Sequence, residues 1–206
     1  MASPTLIEEN GRTVAFSSQS VEDFLDSIAA ETPAPGGGSV AAVVVEMAAS
    51  LAAMVARFSR EHWDGAAGAV AQAEVLRARA APLARDDAEA YEAVLTAMRM
   101  PQDLEPEVRN TLIGDTLSRA ADAPLRIAET AADVAELGAT LAMDGNPNLR
   151  GDAAAAALLA EAAARVAANL VEINLATTET DERIGRAREL AHGARTAADR
   201  ALAAGP

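Results

Sequence analysis

The spacing of apolar residues along the chain predicts a series of helices. Apolar side chains recur every three or four residues over most of the sequence, which places them on one face of an α-helix. The first helix is predicted to begin at Ser20, because Ser20 followed by Asp23 resembles a capping box. The apolar positions that then share one face are Val21, Phe24, Leu25 and Ile28.

Prolines and glycines divide the rest of the chain into further helices. Residues 32–39 are rich in proline and glycine and are predicted to form a loop. The helices predicted after it cover about 39–60, 66–98 with an interruption at Pro82, 107–143 with a kink or break at Pro124, 152–176 with Asp152 as N-cap, and 180–203 with Thr180 as N-cap. Residues 1–16 show no period and are predicted to be an arm of uncertain order, which leaves 17–206 as one helical domain.

Composition supports an all-α fold. Half of the 206 residues are apolar but only 2% are aromatic, and alanine, the strongest helix former, is the commonest residue. Strands favour β-branched and aromatic side chains instead. We therefore predict an all-α, single-domain helical bundle with long, partly kinked helices.

Charge and residue types exclude several functions. The chain has 17 basic and 31 acidic residues, a net charge of −14, which disfavours nucleic acid and anionic membrane surfaces as partners. It has no cysteine, and all the basic residues are arginine, so thiolate and lysine Schiff-base chemistry are excluded. The apolar stretch 40–56 contains Glu46 and is short for a bilayer, so it is predicted to be a buried helix. An acidic amino terminus without a cationic and apolar leader predicts a cytoplasmic protein.

Asp87 is the residue that most clearly breaks the apolar pattern. The stripe that surrounds it at helical spacing contains Ala73, Leu76, Ala80, Leu83, Tyr91, Val94 and Met98. A buried carboxyl with a raised pKa is a candidate general acid or base. Alternatively, Pro82 shifts the phase of the helix, and Asp87 faces an arginine or the solvent.

Two other features suggest a ligand site. Asn174 is predicted on the inward face of its helix, together with Asp152, Leu159, Ala163 and Leu170, where it would bind a polar ligand or hold a backbone carbonyl. The three glycines Gly36, Gly37 and Gly38 precede Ser39 at the start of an apolar helix, where free N–H groups suit a carboxylate or phosphate. Flexibility or close helix packing would equally explain the glycines. His62 and His192 lie far apart in the sequence, without the carboxylate spacing typical of a metal-binding helix, and are predicted to be exposed.

Three separated segments carry a resemblance to a known family. They cover 24–42 with the proline-glycine loop, 86–101 beginning Asp-Asp-Ala-Glu-Ala-Tyr, and 145–175 beginning Gly-Asn-Pro-Asn-Leu-Arg-Gly-Asp. In order and spacing they resemble the cyclodeaminase/cyclohydrolase family. The resemblance implies an all-helical homodimer that acts on the one-carbon bridge of tetrahydrofolate derivatives, with no metal and no prosthetic group.

The resemblance also implies site residues. Asp87 and Asp152 are the catalytic candidates. The substrate-binding candidates are Gly36, Gly37, Gly38, Ser39, Asn146 and Asn174, together with Arg60 and Arg150. The arginines enter because the lysines that the family usually carries after the second helix and after the proline matching Pro101 are absent here, so that positive charge would have to come from arginine.

These implications lead to two classes of function. The first is a tetrahydrofolate one-carbon enzyme, either a methenyltetrahydrofolate cyclohydrolase or a formiminotetrahydrofolate cyclodeaminase. The second is a catalytically inactive helical dimer of the same family that binds folate or another small anion, which the missing lysines favour. An unrelated small-molecule enzyme on the same fold is a third, weaker alternative.

Overall fold

The computed structural model describes residues 8–9, 12–13, 19–101, 105–176 and 180–205. Regular structure in these ranges is helical apart from two short paired strands, β1 (Glu8–Glu9) and β2 (Arg12–Thr13). The helices are α1 (Val21–Ala29), α2 (Gly37–Phe58), α3 (Ala66–Ala80), α4 (Leu83–Met98), α5 (Pro106–Ala120), α6 (Asp122–Asp144), α7 (Arg150–Asn174) and α8 (Glu182–Ala203). The prediction of an all-α, single-domain bundle is confirmed. Most of the predicted arm 1–16 lies outside the described residues.

Helix boundaries follow the capping residues and prolines in most places. The Oγ of Ser20 accepts the N–H of Asp23 at 3.0 Å and caps α1, as predicted. The predicted interruption at Pro82 separates α3 from α4, and the predicted break near Pro124 separates α5 from α6 at Ala121. Pro124 then lies in the first turn of α6, where a missing N–H costs no helical hydrogen bond.

Two predicted N-caps are wrong. A 3₁₀ turn, Pro147–Leu149, leads directly into α7, so Asp152 lies in the first turn of the helix instead of capping it. The N-cap of α8 is Asp181, one residue after the predicted Thr180, and its side chain accepts the N–H of Arg183 at 2.9 Å.

The centre of the bundle is formed by α2, α6 and α7, which pack closely because their contact faces consist mainly of alanine. A Cβ added at Gly138 of α6 would lie 2.9 Å from the backbone nitrogen of Ala157 of α7, so the two helices nearly touch there. Gly37–Phe58 and Pro147–Asn174 are apolar and long enough to span a bilayer, and about half of each is buried inside the fold.

Alanine-rich sequence also produced errors in the predicted faces. On α7 the buried row consists of alanines such as Ala153, Ala160 and Ala167, whereas Leu159, predicted to face inward, is 41% exposed. On α4, Leu83 and Val94 are buried as predicted, but the side chains of Tyr91 and Met98 are exposed. The larger apolar side chains of these helices therefore mark outer surfaces as often as the core.

Candidate active site

A cavity of about 270 Å³ lies at the amino-terminal end of α2. The loop before α2, the middle of α4 and the carboxyl-terminal end of α7 form its walls, which are mainly apolar. Its polar side chains are the carboxyl group of Asp87, the amide of Asn174 and the phenol of Tyr91. A small, largely apolar cavity with a few polar groups is typical of a small-molecule site.

The carboxyl group of Asp87 lies against the first turn of α2. The fully buried hydroxyl of Ser39 is 3.0 Å from Oδ2 of Asp87, and the backbone N–H of Ser39 also donates to this carboxyl group. The first N–H groups of a helix have no partner within the helix. The predicted anion site at this helix start is therefore partly filled by the protein's own acid.

Burial raises the pKa of Asp87, although the hydrogen bonds from the side chain and backbone of Ser39 act in the opposite direction. No arginine of the described residues pairs with Asp87, whereas its neighbour Asp86 pairs with Arg126 and Arg85. The part of the alternative in which Asp87 faces an arginine is therefore wrong, whereas the side chain is partly exposed and opens into the cavity. A carboxyl of this kind exchanges protons nearer to neutral pH than an exposed one.

Gly38 leaves the space that the carboxyl group of Asp87 occupies. A Cβ placed on Gly38 would lie 2.0 Å from Oδ1 of Asp87, whereas one on Gly37 would meet no protein atom within 4 Å. Of the three consecutive glycines, Gly38 is thus the one whose lack of a side chain admits the carboxyl group to the helix start. Gly36 and Gly37 line the cavity beside it.

Asn174 takes one of the two roles that the sequence left open, because it holds a backbone carbonyl. Its Nδ2 donates to the carbonyl of Ala120 at 3.1 Å, which holds the end of α7 against the end of α5. Its side chain also lines the cavity. Tyr91 lies one turn after Asp87 on the same side of α4 and is 45% exposed. Tyr91 was predicted only as part of an apolar stripe, although its spacing of four residues from Asp87 was the signal that would have placed it beside this acid in the cavity.

The other predicted site residues lie at the opposite end of α2. With 22 residues, α2 is about 33 Å long, and Asn146 is bound to its far end by a hydrogen bond from Nδ2 to the carbonyl of Phe58. Arg60 lines a separate surface pocket there, and Arg150 donates to the carbonyl of Gly205. Asp152 lies in the first turn of α7, near the same end. Within one chain these four residues do not join the cavity.

A second, more open cleft of about 520 Å³ lies between α4 and α5 and shares Ala120 with the cavity. Its walls are small or apolar, among them Ala93, Ala97 and Leu112, and Arg119 lies on its edge. No acid of the described residues pairs with Arg119. Sequence reasoning missed this arginine, because nothing in the pattern of α5 distinguishes it from a solvated charge.

Fold and cavity together give a helical protein with a candidate small-molecule site, in which an acid with a raised pKa lies at a helix start. A sequence profile of the formiminotransferase-cyclodeaminase family matches residues 20–192. The chain therefore belongs to this family, and the resemblance seen in the sequence is confirmed. In the described residues, no three histidine, aspartate or glutamate side chains converge to form a metal site.

Individual relatives agree with this assignment. The chain is 33% identical over 164 residues to a methenyltetrahydrofolate cyclohydrolase of Methylorubrum extorquens, a match that covers 76% of this chain and 79% of the relative. It is 32% identical to the formimidoyltransferase-cyclodeaminase of Sus scrofa over 85% of this chain but 34% of that protein, so it spans about a third of that relative. The crystal structure of a formiminotetrahydrofolate cyclodeaminase from Thermotoga maritima matches with a TM-score of 0.82 and 30% identity, over 91% of this chain and 96% of the other.

Proposed function

We propose that this protein is an enzyme of tetrahydrofolate one-carbon chemistry, acting as a methenyltetrahydrofolate cyclohydrolase. The observation that carries the proposal is the carboxyl group of Asp87, held at the start of α2 in a largely apolar cavity with a raised pKa. The similarity to the Methylorubrum cyclohydrolase, which extends over most of both chains, supports the same reaction.

In this reaction Asp87 moves one proton twice. The ionised carboxylate takes a proton from a water molecule while the oxygen of that water bonds to the bridging carbon. The bridging carbon thereby becomes a tetrahedral centre. The protonated carboxyl then gives the proton to the ring nitrogen N5 while the bond from the carbon to N5 breaks. The hydroxyl on the carbon loses its proton to solvent, which leaves a formyl group on N10. A group with a pKa shifted towards neutrality suits both steps.

The remaining polar groups of the cavity would orient the substrate. The carbonyl oxygen of Asn174 is available to accept a hydrogen bond from the pterin, and the N–H of Gly37, an exposed residue in the first turn of α2, to donate one. The ring of Tyr91 offers a flat surface to the pterin at the mouth of the cavity.

A formiminotetrahydrofolate cyclodeaminase is the second candidate, supported by the structural similarity to the Thermotoga enzyme. In that reaction N10 attacks the formimino carbon, and the imino nitrogen takes up the proton of N10 and a second proton from the protonated carboxyl of Asp87. The bond from the carbon to this nitrogen then breaks, ammonia leaves, and the 5,10-methenyl bridge remains. The geometry of a single acid in the cavity serves either reaction.

The glutamyl tail of the substrate would extend along the cleft between α4 and α5. A cavity of about 270 Å³ is smaller than most ligand sites, so part of a folate has to lie outside it. The cleft meets the cavity at Ala120, and Arg119 at its edge would bind a tail carboxylate.

Arg119→Ala is therefore expected to raise KM for the folate substrate about three- to tenfold, because an exposed charged hydrogen bond is lost. Arg186→Ala on α8, which removes another exposed arginine, is the matched control. Steady-state kinetics with a substrate that lacks the glutamate should show no effect of Arg119→Ala. An equal rise in KM with both substrates would remove Arg119 from tail binding.

We also propose a homodimer in which two copies pack through α2 and α7. The outward stripe of α2 contains Val40, Val44, Met47, Leu51, Met54 and Phe58, at alternating spacings of three and four residues. Met47 and Phe58 are 59% and 63% exposed, and Ile173 of the adjacent α7 is 58% exposed. Apolar side chains in such a row favour a covered surface.

A two-fold axis near Met47 would bring the end of α2 in one copy against the start of α2 in the other. Asn146, Asp152, Arg60 and Arg150 would then approach the cavity from the second copy. Their roles, and a cytoplasmic location, stay predictions from the sequence.

The first experiment follows the absorbance of 5,10-methenyltetrahydrofolate with and without protein. We expect turnover well above the spontaneous rate, and a loss of about 10²-fold or more in Asp87→Asn. Formation of the same absorbance from 5-formiminotetrahydrofolate would assign the cyclodeaminase instead. If neither substrate reacts, the enzyme proposal is wrong, and calorimetric titration with a non-reactive folate analogue separates an inactive folate binder from a protein that binds no folate.

A further inference from the structure

The hydroxyl group of Ser39 has two acceptors and one proton. Its Oγ is 3.0 Å from Oδ2 of Asp87 and 3.0 Å from the carbonyl oxygen of Ala84. Ser39 is completely buried, so no bulk water supplies a further partner. A hydroxyl donates one hydrogen bond and accepts others. Ser39 can therefore donate to only one of these two oxygens at a time, and which one it is depends on whether Asp87 is protonated.

When Asp87 is ionised, its carboxylate only accepts, and the Ser39 hydroxyl has to donate to it. The carbonyl of Ala84 then keeps only its helical hydrogen bond within α4. When Asp87 is protonated, the carboxyl O–H donates to Oγ of Ser39, and the Ser39 proton turns to the carbonyl of Ala84. Both states are fully hydrogen bonded, which a buried polar group requires.

We propose that the Ser39 hydroxyl is a two-position switch, donating to Asp87 when that residue is ionised and to the carbonyl of Ala84 when Asp87 is protonated. Ser39 is thus a positioning residue that keeps the catalytic carboxyl in one place through both halves of the proton cycle. For its catalytic consequence the inference rests on the function proposed above, whereas the switch itself is a property of the free protein.

The other titratable groups near Asp87 do not take over the role proposed for the Ser39 hydroxyl. Tyr91 on α4 is the other titratable side chain that lines the cavity among the described residues. Asp86 and Arg85, beside Asp87 on α4, pair with each other, and Asp86 also binds Arg126 of α6. From α2 and α7 the cavity receives glycines, Leu170, Ile173 and Asn174, none of which carries a charge.

The test is a carbon-13 NMR titration of the Asp87 carboxyl in the free protein, with Asp87→Asn for assignment. In Ser39→Ala the ionised carboxylate loses a donor, so its titration midpoint is expected to rise by about one pH unit. Ser39→Thr, which keeps the hydroxyl, should restore the original midpoint. Ser59→Ala removes another fully buried serine, at the far end of α2, and should leave the titration midpoint of Asp87 unchanged.

Activity provides an independent readout. The limb of the pH profile of kcat/KM that reports Asp87 should move to higher pH in Ser39→Ala by the same amount as the NMR midpoint, and return in Ser39→Thr. An unchanged NMR midpoint in Ser39→Ala would overturn the switch. If neither folate is turned over by the wild-type protein but the midpoint still moves, the proposed function fails while the switch stands.

Discussion

The carboxyl group of Asp87 occupies space that a side chain at residue 38 would otherwise fill. Because the clash involves the end of a side chain, an added methyl group would displace the carboxyl without disturbing the backbone of α2. Asp87 could be found in the sequence, since an acid interrupted an apolar stripe. The reason for Gly38 could not, because it depends on a contact between residues 49 positions apart.

Gly38→Ala is therefore expected to lower kcat by about 10²-fold, the order expected when a general acid or base is lost, with little change in the thermal unfolding temperature. Gly37→Ala is the matched control, because its Cβ meets no protein atom within 4 Å, and it should alter KM more than kcat. Steady-state kinetics and thermal melts of both variants check this. Full activity in Gly38→Ala would show that the position of the Asp87 carboxyl does not matter.

The raised pKa of Asp87 also predicts a dependence of stability on pH. A carboxyl with a higher pKa in the folded state stabilises the fold fully below its unfolded pKa, and this stabilisation is lost as the pH rises through the folded pKa. Asp87→Asn cannot ionise, and its amide can donate to Ser39 as the protonated acid does. The variant should thus gain stability relative to wild type between about pH 4 and pH 8.

Urea unfolding of Asp87→Asn and wild type at several pH values measures this gain. Asp115→Asn removes one exposed negative charge from α5. It serves as the control for the general effect of making the net charge of −14 less negative. The gain in Asp87→Asn should exceed that in the control at pH 8. A constant difference from pH 4 to pH 8 would contradict a raised pKa in the folded protein.

At the scale of whole helices, proline and capping residues were sufficient to predict where most elements begin and end. The breaks near Pro82 and Pro124 are examples. The face that each helix buries was harder to predict. In α7, for example, alanine occurs on every face of the helix, and small side chains form its contacts with the core. The hydrophobicity of Leu159 predicted a core residue, but its side chain is exposed. Where helices approach this closely, only small side chains fit between them.

Close approach of α6 and α7 makes Gly138 sensitive to substitution. Gly138→Ala would push a methyl group against the backbone of Ala157 and is expected to destabilise the protein by about 1–3 kcal/mol. Gly114→Ala on α5, whose Cβ would meet nothing within 4 Å, should leave stability unchanged or raise it by up to about 1 kcal/mol. Chemical denaturation compares the two, and equal stabilities would mean that the α6–α7 contact can relax.

On the scale of the whole molecule, the predicted site residues divide into two groups at the ends of α2. Periodicity and backbone chemistry identified the group at the start, with Asp87, Asn174 and the glycines, and these residues line or adjoin one cavity. Resemblance alone supplied Asn146, Asp152, Arg60 and Arg150, which lie at the other end. Sequence positions within one chain do not show whether residues at opposite ends of a helix meet through a second copy, as the proposed dimer requires.

Met47 lies close to the middle of α2 and so tests the proposed dimer most directly. Met47→Glu would place a charge near the two-fold axis, where the two copies would oppose like charges in a desolvated contact, and it is expected to give a monomer at micromolar concentration. Val75→Glu on α3, a similarly exposed apolar position, is the control and should stay dimeric. Light scattering after size-exclusion chromatography measures the mass. If Met47→Glu is still a dimer, α2 does not form the interface; if it is a monomer that keeps full folate activity, the residues at the far end of α2 take no part in the site.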